Sequence, residues 1–143
     1  MLAPNDIDIL LRLATQNSTT GPGNAFHGMI AAEENGSSGF NYLNYIIRFN
    51  GTYQDAIDHS YMNDDIEKLE KEYDKISNKL LKDPLNSDDN GFTLNGDGLE
   101  KLFFATAKLM GLENNVILQR VDDDGIKIIT LNADGSTTAN PCL

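Results

Sequence analysis

The sequence predicts an α+β fold, predominantly α, with about five helices and a C-terminal β-hairpin. Three observations carry that reading. Met62, Ile66, Leu69, Tyr73, Ile76 and Leu80 recur at alternating spacings of four and three, the pattern of a helix with one apolar stripe. Leu99, Leu102, Phe103, Thr106, Leu109 and Met110 form a second helical face, stopped by Gly111. Beyond Gly111 the period changes. Val116–Val121 and Ile126–Leu131 are two β-rich runs joined by Asp122-Asp123-Asp124-Gly125, which reads as a hairpin.

Taken in order, Pro4-Asn5 opens a first helix, with Asn5 as N-cap and Ile9, Leu10, Leu13 and Ala14 on one face. Residues 17–23 are a Ser/Thr/Gly/Pro loop. Phe26, Met29 and Ile30 place a short second helix from Asn24 to about Glu34, ended by Asn35 and the glycines after it. Phe40 to Phe49 reads as a helix on the spacing of Phe40, Leu43, Ile46 and Ile47, with a strand as the alternative. Thr52 and Asp55 cap a further turn through Tyr61. The long helix runs from Met62 to about Lys82, N-capped by Asp64. Its stripe packs inside the domain or offers a homodimer seam through Met62–Leu80. Asp83-Pro84 stops it, residues 83–96 are an acidic loop, and the next helix covers about Gly98 to Met110, capped by Asp97 with Glu100 in capping-box register. Asn132 to Gly135 form a turn, and residues 136–143 are expected to be a flexible tail of a single domain spanning 1–143.

The 143 residues carry 22 Asp+Glu against 11 Lys+Arg, a formal net charge of −11. A surface this acidic argues against nucleic acid or anionic lipid as the main partner, since both require a basic footprint. It suits a partner protein with a basic surface. Much of the excess sits at turns, and Asp88, Asp89, Asp122, Asp123 and Asp124 are the candidate binding residues. The single cysteine, Cys142, rules out an internal disulfide. No apolar run approaches a membrane span, and Asp6 and Asp8 stand where a signal peptide would be basic and then apolar. A soluble, cytoplasmic protein is the expectation, with secretion lacking a classical signal peptide left open. The sequons at Asn17, Asn35 and Asn50 are what an Asn-rich composition yields by chance.

Three stretches suggest chemistry. Asn86 to Asp97 resembles the calcium loop of an EF-hand: Asn86, Asp88 and Asn90 stand at the first, third and fifth ligand positions, Gly91 at the sharp turn, Phe92 at the carbonyl position and Asp97 at the twelfth. The preferred reading is an acidic linker capped by Asp97 with no cofactor; the resemblance implies calcium as the alternative. His27 and Glu34, seven residues apart on the expected second helix, give a lysozyme-type glutamate at a helix end, and so a small glycosidase-like hydrolase. His59 with Asp55 nearby offers a base oriented by a carboxylate. Residues 99–137, with Met110-Gly111-Leu112 closing a helix before an Asp-rich hairpin, resemble small acidic type III secretion chaperones, which implies dimerisation and binding of unfolded effector segments. No nucleophile motif, phosphate loop or zinc-ligand spacing is present. The expected function is therefore a non-enzymatic acidic protein-binding module of inhibitor, immunity, adaptor or effector type, with the hydrolase and the calcium domain as alternatives.

Overall fold

A computed structural model describes residues 3–16, 20–35, 39–88 and 91–142. Among them the chain forms one five-stranded antiparallel sheet and four α-helices, with 41% of the described residues helical and 30% strand. The predominantly helical fold expected from the sequence is thus corrected to a sheet layered against helices. The elements are α1 (Pro4–Gln16), β1 (Phe26–Glu34), β2 (Phe40–Phe49), α2 (Tyr53–Asp58), α3 (Asn63–Leu80), α4 (Gly96–Leu109), β3 (Val116–Asp122), β4 (Gly125–Leu131) and β5 (Thr137–Pro141). The strands lie in the order β1-β2-β3-β4-β5.

The two expected helices over 24–34 and 40–49 are strands. Phe26 pairs with Arg48 and Glu34 with Phe40 across the whole ladder. Pairing with β3, from Asn44↔Val121 to Phe49↔Val116, makes β2 an interior strand. Its odd-numbered residues Tyr45, Ile47 and Phe49 are buried beneath the helices with Leu118 and Ile129. Phe26, Met29 and Ile30 match a helical period by coincidence, since in a strand Met29 points inward and the other two outward. The flexible tail expected over 136–143 is also corrected. Residues 137–141 are β5, paired from Leu131↔Thr137 to Lys127↔Pro141, and the Cys142 amide donates to the Ile126 carbonyl.

The helical expectations fare better. α1 begins at Pro4, so Asn5 lies within its first turn and is not the cap; Asp6 Oδ2 instead accepts from the Ala3 amide at 2.8 Å, just ahead of the helix. α1 packs on β1 and β2 through Ile7, Leu10, Leu11 and Ala14, and α4 packs on β4 and β5. Thr52 and Asp55 make the capping box that starts α2. α3 begins at Asn63 after Met62, not at a cap formed by Asp64. Its stripe serves the chain's own core: Ile66 is buried, and Leu69, Tyr73, Ile76 and Leu80 lie against α1 and α4. Met62 alone of the six stands outside, 77% exposed.

Asn95 caps α4 by accepting from the Gly98 amide at 2.9 Å, so Asp97 lies in the first turn and is not the cap. At the other end Leu112 N–H reaches the Ala107 carbonyl and Gly111 N–H the Lys108 carbonyl, with Gly111 at φ +68°. This is the paired closure that favours glycine past a helix end. Among the described residues no helix is long and apolar enough to cross a membrane.

Candidate functional site

The helices cover one face of the sheet and leave the other open. Side chains alternate across a strand, so the residues opposite the core stand on a single outer surface. On β1 these are Phe26, Gly28, Ile30, Ala32 and Glu34; on β2, Phe40, Tyr42, Asn44, Ile46 and Arg48. Ile117 and Val121 of β3 and Ile126 and Ile128 of β4 continue the surface, with Gln119 buried among them. Phe26 is 62% exposed, Ile30 70%, Phe40 56% and Tyr42 68%. With aromatic side chains presenting roughly 200 Å² each, the three aromatic ones alone leave about 350 Å² of apolar area in water. The largest apolar patch of an ordinary monomer reaches about 300–600 Å² and is often functional, and this face falls within that range. Gly28, having no side chain, opens a shallow depression of about 490 Å³ bordered by Ile30, Asn44, Ile46 and Val121. The charged strand residues of this face, among those described, are Glu34 and Arg48.

The acidic residues do not merge into one free patch. The β1–β2 and β3–β4 turns lie at the same end of the sheet, as the pairings Glu34↔Phe40, Asn44↔Val121 and Asp122↔Gly125 require. Glu33, Glu34 and Asp88 line one polar recess there with Asn35, Asn41, Ser87 and Asn95. Asp88 is largely used inside its own loop, where Oδ1 accepts from the Phe92 amide at 2.9 Å and Oδ2 from the Thr93 hydroxyl at 2.7 Å. These bonds hold its carboxyl below the usual range, the Thr93 hydroxyl most strongly. Asp122 and Asp124 hold Lys127 at 3.1 and 2.9 Å, and Asp122 also takes Arg120 Nε at 2.9 Å. Burial would raise the Asp122 carboxyl; the bonds from Arg120 and Lys127 outweigh it and bring it down. Asp123 is exposed at the turn, and Asp89 lies outside the described residues.

The catalytic candidates are separated. His27 points inward on β1, with Nε2 3.4 Å from Asp6 Oδ1, whereas Glu34 points outward at the far end of the same strand. Seven residues of strand span about 23 Å, so the two cannot flank one bond. His59 Nδ1 lies 2.8 Å from the Asp55 carbonyl and Nε2 3.1 Å from the Gly111 carbonyl. Both ring nitrogens thus face backbone acceptors, and the ring ties α2 to the end of α4. The Asp55 carboxylate turns the other way, into the Thr52 cap, so it does not orient His59 as a base.

The calcium-like loop is committed elsewhere too. Asn86 is buried, its amide nitrogen donating to Asp83 Oδ2 at 3.0 Å and its oxygen accepting from Lys101 Nζ at 2.7 Å. An ammonium therefore occupies the oxygen that the first ligand position would present. Phe92 is 82% exposed, Asp97 projects from the first turn of α4, and Asn90 lies outside the described residues. Among the described residues there is no group of three or more His, Cys, Asp or Glu side chains arranged to hold a metal ion.

One buried cluster escaped the sequence reading. Glu100, placed there as a cap partner, is 2% exposed on α4 and accepts from Arg120 Nη1 at 2.8 Å, Tyr45 Oη at 3.2 Å and the Thr137 hydroxyl. It joins the helix to β2, β3 and β5 at once. Burial, and then the Glu100 charge, push the Tyr45 phenol far up. Burial works against the Arg120 charge, but its bond to Asp122 and the charge of Glu100 raise it further. The signal was available: Arg120 alternates in register with the inward Val116 and Leu118, and Glu100 adjoins the apolar Leu99. Among the described residues no fully buried side-chain nitrogen or oxygen lacks a partner, which makes the cluster a structural clasp rather than an open site.

No protein-family model, curated protein or solved structure matches the chain.

Proposed function

We propose that the chain is a non-enzymatic protein-binding domain that takes an apolar partner surface on the open face of its sheet. The observation that carries this reading is that face itself, with Phe26, Ile30, Phe40, Tyr42 and Ile126 exposed on one side of a sheet whose other side is packed by α1 and α4. Basic residues at the partner's rim would meet Glu33, Glu34, Asp88 and Asp123 at the hairpin end. The apolar centre then supplies affinity and the acidic end supplies orientation and association rate. An inhibitor, immunity, adaptor or effector role fits this division equally. The separation of His27 from Glu34 and the engagement of His59 with two carbonyls weigh against hydrolysis.

The test is capture of the natural partner by the wild type and by Tyr42→Ser and Ile126→Ser, at low and high salt. Both side chains are exposed, so the variants should melt as the wild type does. Loss of capture by both, with salt slowing association by the wild type, supports the reading. Capture unchanged by both substitutions removes the open face from the interaction and overturns it.

A further inference from the structure

We propose that Gln119 is the specificity-determining residue of the open face, and that it asks the partner for an Asn or Gln side chain set within an apolar surface. The proposal rests on the open face as the binding surface and adds what the centre of that surface requires. Gln119 is the middle residue of β3, itself the middle strand of the five. On the outer side it is flanked by Ile117 and Val121 along its own strand, by Ile46 across on β2 and by Ile128 across on β4. Four aliphatic side chains thus surround one carboxamide, which is only 7% exposed. A strand position of this kind ordinarily takes a β-branched or aromatic residue, which fits the pleated surface with no polar group to satisfy.

A carboxamide brings two N–H donors and an oxygen with two lone pairs. Among the described residues the Gln119 side chain makes one hydrogen bond, from Nε2 to Cys142 Sγ at 3.7 Å, and a thiol sulfur is a weak acceptor. No fully buried side-chain nitrogen or oxygen among those residues lacks a partner, so Oε1, which has none, reaches solvent. The core lies on the other side of β3, so it reaches solvent through the open face. A purely apolar partner laid over that face would take the solvent away and leave the oxygen unpaired, and the penalty would fall on the complex. A partner carboxamide removes it, because its N–H donates to Oε1 while its oxygen accepts the second hydrogen of Nε2. A hydroxyl pairs from a single atom, and an ammonium would lose its hydration among four aliphatic side chains. Gln119 therefore discriminates by penalising the wrong surface as much as by rewarding the right one.

Binders selected from a displayed library of a small helical scaffold, with one face randomised, serve as the probe. Those selected on the wild type and lost on both Tyr42→Ser and Ile126→Ser occupy the open face. They should carry an Asn or Gln at the centre of the contact and bind Gln119→Met at least about tenfold more weakly, the effect of one unpaired polar group. Replacing that amide by leucine should weaken binding to the wild type and restore it to Gln119→Met. Binders selected on Gln119→Met should carry an apolar residue at the same place. Methionine matches glutamine in length and has no amide to satisfy, so Gln119→Met should melt at or above the wild type. A midpoint lower by more than about 4 °C makes the amide a structural group and overturns the proposal. Face binders that lack an amide, or that hold the wild type and Gln119→Met equally, also overturn it while leaving the open face standing. A selection in which no binder depends on Tyr42 and Ile126 removes the open face itself, and this proposal with it.

Discussion

Replacing Glu100 with leucine tests what fastens α4 to the sheet. The substitution removes the acceptor of three side chains on three strands, Tyr45, Arg120 and Thr137, and leaves Arg120 half-buried with Asp122 as its remaining carboxylate. Removing one partner of a buried ion pair costs about 3–5 kcal/mol. Arg120 retains some solvent and a second carboxylate, which places the expected loss near the lower end, about 3 kcal/mol. In a domain of this size that is a fall of roughly 10 °C in the melting midpoint. The companion variant Glu100→Leu/Arg120→Met takes out both charges and should recover most of the loss, because an apolar pair of similar volume is often as stable as the ions it replaces. Urea unfolding of the wild type, both single variants and the double variant gives the coupling directly, provided the slopes agree. If Glu100→Leu lies within about 1 kcal/mol of the wild type, an ordinary surface-sized change, the clasp is not what holds the helix. If the double variant is worse than the single, the stranded charge is not the source of the loss.

Other substitutions probe the remaining joints. A Cβ on Gly98 would sit 2.1 Å from the Asn86 carbonyl oxygen, so Gly98→Ala should destabilise by at least the roughly 3 kcal/mol of a severe overpacking change, read by urea unfolding. Bonds from the Thr52 amide, and then its hydroxyl, hold the Asp55 carboxyl below its ordinary value. A depressed folded-state value gives stability that is present above the unfolded value, near pH 4, and is lost as pH falls through the folded one; Thr52→Ala should lower the midpoint at pH 7 and flatten this acid limb. Millimolar calcium should leave the melting midpoint in place, because Asp88 and Asn86 are engaged within the chain; a rise would restore the loop as a ligand set.

The legible parts of the fold were those in which a polar surface frames an apolar stripe. α3 and α4 show such a stripe, Thr52 and Asp55 announced the box that opens α2, and Asp122 to Gly125 announced the β3–β4 turn. β2 was illegible for a physical reason. Its inward residues Tyr45, Ile47 and Phe49 alternate with Phe40, Tyr42 and Ile46, which are apolar and face outward. A strand apolar on both sides has no period-two contrast, and periodicity alone cannot tell it from a helix. The surface proposed here to bind a partner is thus the very feature that concealed the strand bearing it. β1 was diluted further by Gly28 and the pair Ala31-Ala32, and its pairing with β2 cannot be read from either segment alone. Of the site, the acidic turns were read as positions but not as contacts, since Lys127 and Arg120, which occupy two of the carboxylates, come from neighbouring strand positions whose direction depends on the sheet.

The pairing of β2 with β3 also sets a schedule for synthesis. Phe49 meets Val116 only after α2, α3 and α4 have been made, and at about 5–20 residues per second that interval is roughly 3–13 s. During it the β1–β2 hairpin has emerged with apolar side chains on both sides and neither the remaining strands nor α4 to cover the inner one. Contacts this distant in sequence also slow folding after release. The nascent chain therefore passes through a sticky half-sheet, for which α1, made first and able to lie over β1 and β2, is the early cover.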